Sequence, residues 1–240
     1  MRHFFTAVAV LAVVLAAALN LRGAMPPVQD FNEGIYQGWL IGQILGGGDV
    51  AFAIKPWPVP NAAAQMLLGL LNLPLGAGQA GIAYLTLYLA GFIWLAAALA
   101  RRDGRFDPAT FLLAVLIGGI NSPYWDGYAN SQLGTMLYML HLLRERRLLA
   151  ANGHGTGRCT GPVWELAVGI AIFCCHAVLL AVFALHLTIR AWQHHLKLRT
   201  ALVLSAPFAL LAWHLLRDDN YGEAIPAFGT SPFAFIAYKA

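Results

Sequence analysis

Asp30, Glu33 and Gln37 stand at i, i+3 and i+7 in the stretch DFNEGIYQGWLIGQILGGG, residues 30–48. That spacing puts two carboxyls and an amide on one face of a short helix. A carboxylate held there can act as a general base and take a proton from an acceptor hydroxyl. The same spacing also fits a solvated amphipathic helix with no chemistry, and spacing alone does not choose. Gly34, Gly38 and Gly42 recur every four residues and leave a small-residue flank for close helix packing. Ile35 and Trp39, one turn apart, supply an apolar side.

Other groups stand apart in the sequence. Asp126 lies in YWDGYAN, residues 124–130, between Trp125 and Tyr128. It reads either as a turn-forming Asp-Gly pair or as an acid at membrane depth beside an aromatic platform for a sugar or lipid. His176 in FCCHAV is either a satisfied buried histidine or a ligand contact. His141, His176, His186 and His214 all fall in or near apolar runs. Haem ligation would need two of them on facing helices at equal depth. His141 with His186 and His176 with His214 are the pairs that depth allows, and no spacing motif supports them. Cys159, Cys174 and Cys175 give neither a disulfide framework nor a zinc spacing, and the last two read as packing residues.

The elements that must position these groups are apolar. The 240 residues are 59% hydrophobic and 11% charged, with mean hydropathy +0.64, whereas a soluble domain is usually about a quarter charged. Composition therefore predicts an integral membrane protein with one membrane domain over 1–240 and little left for a soluble module. The net charge of +4 does not indicate nucleic acid, because the bases cluster between apolar runs: Arg101, Arg102 and Arg105; Arg144, Arg146, Arg147 and Arg158; Arg190, Lys197 and Arg199. That is the pattern of cytoplasmic loops.

Residues 4–21 are long enough to span a bilayer, with a cleaved signal peptide as the rival reading. An outer loop follows over 23–78, with an interfacial or re-entrant segment at 62–75 ended by Pro74. A full span over 79–100 delivers the chain to Arg101. Two hairpins with short arms are expected next, one turning at 121–130 between runs 109–120 and 131–143, the other near His176. Short arms imply apices below the membrane surface, where polar backbone must line a cavity or be buried in protein. A last span over 200–216 leaves an external tail over 217–240, and the bundle proper covers 79–216. The fold class expected is all-α, a polytopic membrane protein of about seven spans with the N-terminus inside and the C-terminus outside. This topology places four bases and seven acids outside, so the outer face is acidic while the inner face is basic.

The stretch FNEGIYQGWLIGQILGGGDVAFAIKPWPVPNAAAQMLLGLLNLPLGAGQA, followed by AVGIAIFCCHAVLLAVFAL, resembles the membrane module of the GT-C superfamily of polytopic glycosyltransferases, which includes the protein O-mannosyltransferases. Asn32-Glu33, Tyr36, Gly46 to Gly48, Pro58 to Asn61 and Leu75-Gly76 carry the correspondence. The resemblance implies transfer of a sugar from a polyprenyl-phosphate-linked donor to an acceptor on the outer face of a bacterial plasma membrane, with room for a divalent metal. It implies Glu33 or Asp30 as base. Asn32, Tyr36, Lys55, Trp125, Asp126, His176 and Arg217 are then substrate contacts, with Lys55 or Arg217 stabilising the leaving phosphate. One position departs: Asn32 stands where the family's first acid is expected, and an amide cannot act as a base. The family also continues beyond a seventh span, so a minimal form, a fragment or a partner subunit is expected. The rivals to a transferase are a non-catalytic membrane scaffold and a small-solute transporter. A transporter would more often show two related halves, and no such repeat is present.

Overall fold

Long apolar runs with few charges satisfy their own backbone groups as helices. Gly, Pro and short polar joints divide them. The computed structural model describes residues 31–54, 58–102, 105–120, 128–152, 160–194 and 196–217, with isolated positions 7, 8, 10, 11, 14 and 18, where the backbone is helical. The described residues are all-α apart from one small hairpin. In order they are α1 (Phe31–Leu45), α2 (Ala63–Leu75), α3 (Ala77–Ala100), the hairpin β1 (Arg101–Arg102) and β2 (Arg105–Phe106), α4 (Pro108–Leu113), α5 (Ala129–Asn152), α6 (Pro162–Cys175), α7 (Ala177–His194) and α8 (Lys197–Arg217).

Each joint has a local cause. Gly76 takes φ 78° between α2 and α3, a conformation costly for a residue with a Cβ. Asp107 starts α4: its carboxylate accepts from the Ala109 amide at 3.1 Å and the Thr110 hydroxyl at 2.6 Å, with Pro108 in the first turn. Helix α4 runs on as a π-helical turn over Ala114–Gly119, where the Ile120 amide reaches back to Val115 O at 2.8 Å. Extended backbone at His176 separates α6 from α7, where the sequence predicts the second hairpin to turn.

Contacts fix the helix directions. Tyr84 meets Ala129, while Arg146 donates to Leu99 O and Arg101 O, so α3 and α5 run parallel. Tyr138 and His186 touch, as do Glu145 and Arg190, so α7 runs with them. Glu165 meets both Arg190 and Arg199, so α6 is antiparallel to α7 and parallel to α8. Helix α4 runs against α3, since Asp107 bonds Ala100 O and Tyr88 bonds Gly119 O.

The returning arm of the first hairpin differs from expectation. It is not short: α5 has 24 residues and continues through RERR to Asn152. Arg, Glu, Leu and Ala are all good helix formers, so a charge cluster that ends the apolar run does not end the helix.

Two apolar clusters form the interior. One joins α1, α2, α3, α4 and α5 around Phe31, Leu68, Leu85 and Phe92; the other joins α6, α7 and α8 around Ile172, Phe173, Phe183 and Val203. Two described helices, α3 and α8, are long and apolar enough to cross a membrane. Only 39% of the most apolar window of α3 and 22% of that of α8 is buried. The core helix of a soluble protein buries most of such a window, whereas here Leu87, Trp94, Leu202 and Leu216 face outward.

Candidate functional site

The helix that the spacing of Asp30, Glu33 and Gln37 predicts is α1. Its glycines do what their repeat suggests. A Cβ on Gly38 would sit 2.5 Å from Leu68 Cβ, and one on Gly69 would sit 2.5 Å from Ile41 Cγ2, so α1 and α2 cross almost backbone to backbone. On its other side α1 buries Phe31 and Ile35 against α3, with Phe31 and Tyr84 ring centres 5.6 Å apart.

The start of α2 is clamped by neighbours that lie far away in sequence. Asn130 of α5 accepts from the Ala64 amide at 2.8 Å and donates to Asn61 O at 2.8 Å and Gln65 Oε1 at 2.7 Å. The Ala62 amide donates to Cys174 O at the end of α6, at 3.0 Å. These bonds satisfy amides that a helix start leaves without partners. Between the clamp and α1 lies a groove of about 620 Å³, within the usual range for a ligand pocket. Leu40, Ile41, Ile44, Phe52, Ile54, Val59 and Met66 make it apolar; Gln37, Asn61 and Gln65 are its polar points, and Cys174 lies at its α6 side.

Glu33 is exposed and accepts from Gln37 Nε2 at 3.1 Å, so it stands one helical turn from the groove's rim. Asn32 is exposed, and Tyr36 is exposed and stacked on Trp39, ring centres 5.8 Å apart. His176 is half-buried at the same end, its Nδ1 buried and without a hydrogen-bond partner. Arg217 lies 4.8 Å over the Trp213 ring and does not line the groove. Asp30, Lys55, Trp125 and Asp126 lie outside the described residues. The structure thus brings Gln37 to a groove, leaves Glu33 one turn from it, and places Asn32 and Tyr36 on the same helix.

A second polar centre lies at the opposite, arginine-rich end, and the sequence reading did not find it. Arg190 donates to Glu145 Oε1 at 2.8 Å and to Glu165 Oε1, and Arg199 donates to Glu165 Oε1 at 2.8 Å. The Thr160 hydroxyl also donates to Glu165, and the Thr160 carbonyl accepts from Arg199. Glu165 and Thr160 are fully buried. Two carboxylates facing two guanidiniums leave no net charge, the condition under which ion pairs are tolerated away from water. Beside them, His186 Nε2 lies 2.9 Å from Glu145 Oε2, and the His141 and His186 ring centres are 5.7 Å apart. These two are one of the histidine pairs that depth allowed. The missed signal is a spacing: His141 and Glu145 stand one turn apart on α5, and His186 and Arg190 one turn apart on α7.

No family model, no curated protein and no solved structure matches the chain.

Proposed function

We propose that the chain is a polytopic membrane protein of the GT-C type, which seats a polyprenyl-phosphate-linked sugar in the groove between α1 and α2 and uses Glu33 as base toward an acceptor arriving from water. The observation that carries this reading is the groove itself: apolar walls, three polar side chains at its edge, and a carboxylate one turn away on a helix fixed by close packing. An isoprenoid chain matches the walls. A phosphate and sugar match the amide-bearing rim. The exposed carboxylate matches a hydroxyl that must lose its proton.

Membrane placement draws support from α8. Lys197 lies 4.5 Å over Trp192 at its start and Arg217 lies 4.8 Å over Trp213 at its end. The 21 residues from Lys197 to Arg217 rise about 30 Å, the thickness of a hydrocarbon core. Tryptophans that carry cations at both levels fit the two interfaces. The basic clusters meet at one end, where Arg146 reaches Arg101 O and Arg199 reaches Thr160 O, which fits that end facing the cytoplasm. The remaining helices, alternating in direction, then complete a bundle of about seven segments with the groove outside.

The test is a polyprenyl phosphate bearing a photoactivatable chain, added to the full-length protein in bilayer discs. Crosslinks at Ile44 and Met66, competed by unlabelled polyprenyl phosphate, are the expected result. Crosslinks spread evenly over the outward faces of α3 and α8 would instead mark a membrane scaffold without a donor site.

A further inference from the structure

The arginine-rich end holds a group that the ion pairs do not explain. His141 is fully buried, and its Nε2 has no hydrogen-bond partner. His141, Glu145 and His186 each offer one donor atom, and the three atoms lie within 4.8 Å of one another. We propose that these three side chains form a binding site for an exchangeable transition-metal ion of the zinc or cobalt(II) class. This inference is independent of the groove and of any transferase activity.

The donor set selects the ion. Two imidazoles and one carboxylate suit zinc and cobalt(II), while magnesium and calcium require mostly oxygen ligands. Three protein ligands leave one tetrahedral position open. Ligand atoms around tetrahedral zinc stand about 3.3 Å apart, from bonds of 2.0–2.1 Å, so the three groups close by rotamer adjustments. Glu145 is already oriented for this. Arg190 holds its Oε1 at 2.8 Å, and Oε2 faces His186.

Two features set the strength. Glu145 and Glu165 are matched by Arg190 and Arg199, so the ion brings its charge into a neutral cluster. The affinity therefore falls well below that of a structural zinc site. The second feature is Trp164. Its indole N–H donates to His141 Nδ1 at 3.2 Å, and an indole can only donate. The ring proton of His141 then sits on Nε2. A metal takes the Nε2 lone pair, the ring proton moves to Nδ1, and two donors face each other. The indole must turn away for the ion to bind.

The experiment uses the full chain in detergent, stripped of metal and titrated with Co²⁺ and then Zn²⁺. The expected result is one Co²⁺ per chain, with the absorption bands of tetrahedral cobalt, displaced by Zn²⁺ and accompanied by a change in tryptophan fluorescence. His186→Gln, at a partly buried ring and with an amide that can still donate to Glu145, weakens binding at least about tenfold, since even partners one step removed from a metal are worth that much. Trp164→Phe tightens binding and abolishes the fluorescence change. Absence of saturable cobalt binding overturns the proposal. So does binding that survives His186→Gln unchanged, which would place the ion elsewhere on the chain.

Discussion

The two ends of the bundle solve opposite problems. At the α1–α2 end, apolar helices are pressed together through glycines, and the space left over is a groove with a few amides at its edge. At the arginine-rich end, charged side chains from α5, α6, α7 and α8 are drawn inward, with Glu145, Glu165 and Arg190 all buried. Small residues make room; paired charges fill it. The first arrangement leaves a carboxylate, Glu33, exposed and held by one bond from Gln37. The second engages its carboxylates and ties four helices together. Substitutions at the two ends should therefore fail differently, one in ligand handling and the other in folding.

The largest effect is expected from breaking the ion network. Glu165→Gln or Arg190→Leu leaves the neutral cluster with one unmatched charge, at up to about 3–5 kcal/mol, enough to lower the folded yield severely. Melting temperature and the monodisperse fraction in detergent measure this. Replacing Glu165 and Arg190 together by apolar residues should recover part of the loss, because unpaired charge and not lost volume is the main cost. No recovery in the double variant would show that the pair is needed for geometry.

Next is Glu33→Gln, expected to lower transferase turnover by about 10²-fold with melting unchanged, since exposed polar exchanges rarely move stability by more than about 0.5 kcal/mol. Asp30→Asn should cost less, and Asn32→Asp should raise turnover by supplying the carboxylate that the family resemblance leads one to expect. A fall in melting temperature equal to that of Glu165→Gln would erase the contrast between the two ends.

Gly38→Ala comes third. The added Cβ meets Leu68 Cβ at 2.5 Å, so α1 must lift from α2 at about 1–3 kcal/mol, the usual cost of overpacking. Lipid crosslinking in the groove should change along with stability, because both helices are its walls. The smallest effect is Tyr88→Phe: its hydroxyl donates to Gly119 O at 2.9 Å inside the bundle, and the loss of one buried bond costs about 1 kcal/mol. Neither groove crosslinking nor metal uptake should follow.

These predictions rest on features that were unequally legible in the sequence. The helix starts and stops followed from local chemistry. The segment 62–75 and the turn near His176 were expected from the chain, and the Asp107-Pro108 cap lies just before the arm expected from 109. The glycine repeat on α1 gave its packing face, because a face of small residues has few other uses. The length of α5 did not follow, because hydropathy reports where apolar character ends and helix propensity continues past it. The ion network was hidden for a different reason. Glu145, Glu165, Arg190 and Arg199 come together only through the register of the α6–α7 hairpin against α5 and α8. Counting charges by loop assigns all four to a solvated face. The groove was equally out of reach, since Cys174 and Gln37 are brought to one cavity from distant parts of the chain. Two of the seven expected segments meet the length and hydropathy test for a span among the described residues, and the shorter helices α2, α6 and α7 fall below it.

Cys174 allows the most direct test of the account, because it places a native thiol at the groove. In a chain carrying Cys159→Ser and Cys175→Ala, a small membrane-permeant thiol reagent should label Cys174 slowly but measurably. Polyprenyl phosphate in the disc at ten times its Kd leaves about a tenth of the grooves empty, so labelling should slow about tenfold. A cysteine placed at Leu198, on the outward face of α8, should label at the same rate with and without that lipid. Protection confined to Cys174 is the predicted result. An unchanged rate at Cys174 under saturating polyprenyl phosphate would contradict a donor site between α1 and α2.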